Sequence, residues 1–143
     1  MQKSQEVSLQ QFADNKVAII PCAGMDKALG SVARACAFKV VEKLRPDKTV
    51  LICIPPLVAG VKLYSENIKR YPAIPIDGCA ERCATKIAVK NGARIKGRIL
   101  IPESVQKHDL KPKSASDIGP DGEKLAEKLA EEIATEIDRL LGK

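Results

Sequence analysis

The stretch IDGCAERCATK, from Ile76 to Lys86, places Cys79 and Cys83 four residues apart, directly after an Asp-Gly pair. Thiols at that spacing can ligate a soft metal ion, exchange with a disulfide, or supply one nucleophile with a bystander. They can equally be two small buried side chains, since cysteine is among the residue types most often found inside proteins. The choice rests on which other groups reach them. Three more cysteines are present, Cys22, Cys36 and Cys53, and there is one histidine, His108. Five thiols is an odd number, which argues against a disulfide framework and for metal, redox chemistry or burial.

The elements that must carry these residues follow from the apolar pattern. KVAIIP (16–21) is a short β-branched run that predicts a buried strand ending just before Cys22. KTVLICIPP (48–56) predicts a second strand with Cys53 near its end, and AIPID (73–77) a third, two residues ahead of Cys79. RIKGRILIP (94–102) predicts a fourth. SVARACAFKVVEKLRP (31–46) reads as a helix with Ser31 as N-cap and Pro46 as its stop. Cys36 falls on that helix's apolar stripe with Val32, Ala35, Val40 and Leu44, so it is expected in the core. A second helix is predicted within 59–72, and a third from Cys79 to Lys90, capped by Asn91-Gly92.

A polar connection rich in Pro and Ser runs from Glu103 to about Pro120. The last helix, about 121–141, carries Leu125, Leu129, Ile133, Ile137 and Leu141 as one stripe, for the core or, in excess, for a second copy of the chain. Residues 1–15 read as a polar lead-in and 16–143 as a single α/β metal-binding domain. Strands alternating with helices predict a three-layer, Rossmann-like fold: a mostly parallel four-stranded sheet with helices on both faces.

That fold brings the cysteines together. Every crossover in a parallel sheet returns the chain to the same edge, so Cys22, Cys53 and Cys79 are expected along one carboxyl edge. With strand order 2-1-3, Cys22 is central and its neighbours stand about 4.8 Å away on either side. Ligands of open α/β sheets bind at this edge. Cys83 joins if the third helix starts near Cys79, because residues i and i+4 share a helix face. Asp77-Gly78 would turn the backbone into that helix. Four thiolates around one point, each about 2.3 Å from the ion, is the geometry of tetrahedral zinc. Four cysteines also suit an iron–sulfur cluster. A thiol-redox alternative uses Cys79 at the helix start, with Cys83 or Cys22 resolving it. A closed four-thiolate sphere leaves no position for a catalytic water, so metal sensing or delivery, or thiol activation, would need one labile thiolate.

Three blocks, PCAGMDKALG, CIPPLVAG and IDGCAERCATKIAVKNG, resemble the DGC-domain family, named for its Asp-Gly-Cys signature. They cover most of residues 17–92, and the third is the specific one. The resemblance implies that Cys22, Cys53, Cys79 and Cys83 correspond to the family's four cysteines and bind Zn²⁺. Pro55-Pro56 stands where members tend to be glycine-rich, and Met25-Asp26-Lys27 where small polar residues are usual.

Composition bounds the rest. The net charge of +6 has no basic run with interleaved aromatics, so Lys and Arg read as a solvated surface rather than a nucleic-acid site. No stretch approaches the roughly 20 apolar residues of a membrane span, and MQKSQEVSLQQF lacks the apolar core of a secretory signal. A cytoplasmic location, where thiols stay reduced, is the expectation. The expected partners are a metal ion and a protein or small molecule at the sheet edge. A Cys-led loop before a helix is similar to that of low-molecular-weight phosphatases, but the Arg such a loop needs is replaced by Ala28, and the nearest is Arg34. His108 is a further candidate ligand, although a lone loop histidine is ordinarily solvated. Asp77 is a candidate turn residue or a hydrogen-bond acceptor behind the thiols, and Asp26 and Lys27 are candidate ligand contacts.

Overall fold

The computed structural model describes residues 15–142, so the expected lead-in over 1–15 lies outside the described residues except for Asn15. Strand β1 (Val17–Pro21) runs parallel between β2 (Thr49–Leu51) and β3 (Pro72–Asp77). Two short strands share the fourth position, β4 (Arg94–Ile95) and β5 (Ile99–Leu100), each parallel to β3. The order is therefore 2-1-3, with the fourth position beyond β3. Both faces of the sheet are covered, which is why its strands read as continuous apolar runs. Val17, Ile19, Ile74 and Ile76 point into one layer, and Ala18, Ile20 and Ala73 into the other.

The first layer holds α1 (Ala28–Phe38), which widens into π-helical turns over Lys39–Leu44, with α5 (Ile101–His108) and α6 (Gly119–Leu140). The second holds α2 (Ile54–Val58), α3 (Lys62–Arg70) and α4 (Cys83–Lys90). This is the three-layer α/β arrangement that the alternation predicts. The α6 stripe is spent on the chain's own core: Leu125, Leu129, Ile133 and Ile137 are fully buried, each worth about 1.5–3 kcal/mol. Cys36 is fully buried among them.

Several boundaries differ from those the pattern predicts, each for a local reason. β2 stops at Leu51, and residues 54–58 coil into α2, because Pro55 and Pro56 fit a first helical turn, whose N–H groups have no partner anyway. α3 accordingly starts only at Lys62. α1 begins at Ala28, not after a Ser31 cap. Ser31 is buried, and its hydroxyl donates to the Ala115 carbonyl in the long connection. Part of that connection, with the end of the predicted fourth strand, forms α5, which again starts with Pro in its first turn.

The fourth strand splits because of Pro75. Ala73 turns its carbonyl to the N–H of Lys96, so Pro75, two residues on, faces the same neighbour without an N–H to donate. The chain leaves the ladder from Lys96 to Arg98 and rejoins it at Ile99.

Candidate metal centre at the carboxyl edge

Four cysteines end up on one edge by four different local routes. Cys22 prolongs β1 past its last strand residue, its N–H bonding the Ile76 carbonyl at 2.8 Å. Its Sγ accepts the Gly24 N–H at 3.3 Å, the kind of amide-to-sulfur bond found around ligating thiolates. Cys53 sits at the N-cap of α2 and is exposed. Cys79 lies in the loop after β3 and is half-buried. Cys83 is the first residue of α4 and is exposed.

The predicted continuous helix from Cys79 is therefore corrected: α4 starts four residues later, and the two thiols do not share a helix face. Arg82 is the reason. It holds a left-handed conformation at φ 54° and breaks the chain between the cysteines. A non-glycine residue there stores about 1–3 kcal/mol of strain, which the surrounding structure must offset.

The Asp-Gly-Cys triplet divides its labour. Asp77 is 3 % exposed, and its carboxylate accepts the Thr85 backbone N–H at 3.3 Å and the Thr85 hydroxyl. Thr85 is the third residue of α4, so Asp77 does from eight residues upstream what an N-cap side chain ordinarily does. Arg82, the actual cap residue, contributes no side-chain bond. Asp77 is thus neither a mere turn residue nor an acceptor from a thiol. It anchors the helix that begins with Cys83.

Gly78 packs backbone to backbone on the first turn of α1: a Cβ there would stand 3.0 Å from the Gly30 nitrogen and 3.1 Å from the Leu29 carbonyl carbon. Gly30 in turn approaches Gly24 so closely that a Cβ would fall 2.1 Å from its carbonyl oxygen. These contacts clamp the Cys79 loop, the Cys22 loop and the start of α1 together.

Between them lies a cavity of about 370 Å³, lined by Cys22, Cys79 and Cys83 together with Asp26, Lys27, Glu81 and mainly apolar neighbours. Cys22 also borders a second cavity of about 120 Å³, whose wall includes Cys53, Arg34 and Phe38. The structure thus brings three of the four cysteines to one space and the fourth to the adjoining one. Asp26 and Lys27 line the first cavity and are exposed, as loop charges in solvent also would be. His108 does not join: it closes α5, with Nε2 3.5 Å from the Glu132 carboxylate on α6, and borders neither cavity. Cys36 is set apart chemically as well. Burial pushes its thiol up to about 12, the nearby Glu132 adds to the rise, and Lys39 partly offsets it.

A family model described as the DGC domain matches residues 18–137, a span that contains all four edge cysteines and the Asp77-Gly78-Cys79 triplet. The chain belongs to the DGC-domain family. The match runs well past Gly92, beyond which the sequence resembles the family only weakly, and takes in α5 and most of α6. In this member of the family the signature's Asp caps a helix, its Gly permits a backbone contact and its Cys reaches the cavity. No curated protein and no solved structure matches the chain.

The donor set suits a soft, thiophilic ion such as Zn²⁺ in kind: four thiols in neighbouring spaces, one already accepting an amide hydrogen bond. As they stand among the described residues, no three Cys, His, Asp or Glu side chains are grouped closely enough to hold an ion. Holding one therefore requires the cysteine-bearing segments to draw together. Cys53 and Cys83 are exposed and Cys79 is half-buried, so these thiols are open to an incoming ion.

Proposed function

We propose that this DGC-domain protein binds one Zn²⁺ through Cys22, Cys53, Cys79 and Cys83 and uses the site to sense or deliver metal or to activate a thiol. The observation that carries this reading is the shared cavity of Cys22, Cys79 and Cys83, with Cys22 also bordering the space that Cys53 lines. Bound zinc would supply a Lewis acid and hold its thiols as thiolates. The chain's own residues do the positioning. Gly24 donates to the Cys22 sulfur, Asp77 fixes the start of α4 and hence Cys83, and Gly78 and Gly30 hold the two cysteine loops in contact. Cys53, exposed and outside the cavity that the other three line, would be the ligand most open to exchange, the property that a sensing or delivery site needs.

The test is metal analysis of protein purified without chelators, alongside four single Cys→Ser variants at these positions and a Cys36→Ser control. About one zinc per chain is expected, lost or weakened in each of the four and retained in the control. Native protein without zinc, or four variants with full zinc content, overturns the proposal. Bound iron with visible absorbance would instead favour an iron–sulfur cluster on the same four thiols.

A further inference from the structure

The chain's positive charge is concentrated rather than spread. Residues 61–100 hold nine Lys and Arg against three Asp and Glu, which accounts for the whole net charge of +6. The remaining residues carry fifteen of each sign. Of those three acids, Asp77 is buried, Glu66 pairs with Lys62, and Glu81 pairs with Lys86 near the thiol cavity.

Of the cations left over, Lys69, Arg70, Arg94, Lys96 and Arg98 share one corner and the edge that leads from it. The side chain of Lys69 at the end of α3 runs beside Gly92, just past the end of α4, where a Cβ would touch its methylenes at 3.4 Å. Arg94 bonds the Arg70 carbonyl at 2.8 Å. From there Arg94, Lys96 and Arg98 are exposed at alternate positions along the outer side of the sheet, while Ile95, Gly97 and Ile99 between them are half-covered. Glu136, which approaches this edge from the other face over Gly97, has its carboxylate held by Arg139.

We propose that this corner and edge bind the sugar–phosphate backbone of duplex nucleic acid without reading its bases. Arg94, Lys96 and Arg98 form a row of exposed cations on the outer edge, the charge pattern that a row of backbone phosphates would meet. A single-stranded ligand is less suited, because among the described residues the corner has no exposed aromatic on which bases could stack: Tyr71 is buried and Tyr64 half-buried. A protein partner would want a buried aromatic or aliphatic anchor at the centre of the patch. A lipid surface would want apolar residues to insert. The exposed Val58, Val61 and Leu63 lie around the start of α3, away from its Lys69–Arg70 end, and the exposed Val89 near the end of α4 offers the corner one short apolar side chain.

The experiment is fluorescence anisotropy of a labelled 20-base-pair DNA duplex titrated with the full chain across roughly 50–200 mM salt. Wild type should bind with a log–log salt slope near −4 to −5, and Arg94→Gln/Lys96→Gln/Arg98→Gln should flatten that slope by about 3 and weaken binding more than tenfold. A control with the same loss of charge, Lys111→Gln/Lys124→Gln/Lys128→Gln, should bind nearly as wild type. Circular dichroism and size-exclusion chromatography verify that both variants fold. Equal weakening in the two variants would reduce the effect to net charge and overturn the proposal. So would polyglutamate or phosphatidylserine vesicles binding as well as DNA at matched charge. Self-association of the edge variant without DNA binding by wild type would also overturn it, since edge cations would then serve only to keep copies of the sheet apart.

Discussion

Asp77→Asn is the perturbation that separates a helix anchor from a metal-site residue. The carboxylate accepts two donors, the Thr85 N–H and the Thr85 hydroxyl, in a place only 3 % exposed. An amide of the same shape has one acceptor oxygen, so one donor loses its partner or faces the new NH₂. Leaving one buried donor unsatisfied costs about 1–3 kcal/mol. For a chain of this length that lowers Tm by about 3–10 °C. Thr85→Val, which removes only the hydroxyl bond, should cost about 1 kcal/mol, and the double variant should cost less than the two singles combined because both act on one interaction. Calorimetry on protein dialysed against EDTA gives these values without any contribution from metal, and zinc content of undialysed protein then gives the consequence for Cys83. The reasoning is refuted if Asp77→Asn leaves the metal-free Tm unchanged while abolishing zinc binding, for then Asp77 serves the ion and not the helix.

Further outcomes follow from the same geometry. Gly30→Ala puts a Cβ 2.1 Å from the Gly24 carbonyl oxygen, against backbone that cannot swing aside, so a loss of about 1–3 kcal/mol in urea melts is expected, with weaker zinc binding as the Cys22 loop is pushed from Gly78. Cys36 should resist alkylation in folded, zinc-free protein while the exposed Cys53 and Cys83 react, which mass spectrometry after a short iodoacetamide pulse would show. Its raised value also has a sign. The folded state favours the neutral thiol, so that contribution is complete below the unfolded value of about 8.5 and is lost as pH rises toward about 12. The stability difference between wild type and Cys36→Ala should therefore shrink across that alkaline window, and a difference that grows would contradict the assignment.

The order of the sheet and the edge that carries the cysteines were legible in the sequence because they depend on robust signals: β-branched runs, their alternation with helices, and the rule that parallel crossovers return to one edge. The α6 stripe was legible for the same reason, and Cys36 fell in the core as its helical spacing required. What was not legible depends on single backbone positions. Nothing in ERC announces that Arg82 adopts a left-handed conformation and delays α4 to Cys83. Pro55-Pro56 could have been read as a helix's first turn rather than a stiff loop, and Pro75 as a donor missing from the ladder. The role of Asp77 needed the eight-residue reach to Thr85, which no local pattern encodes. The charge concentration was countable from the start, but its meeting at one corner needed the packing of α3, α4 and the edge strands.

The central claim is that four thiolates hold one zinc ion, and zinc K-edge X-ray absorption on the purified chain tests it most directly. The account predicts a single shell of four sulfurs at about 2.3 Å, falling to three with one lighter neighbour in Cys53→Ser. A shell of nitrogen and oxygen near 2.0–2.1 Å in the wild type would contradict it.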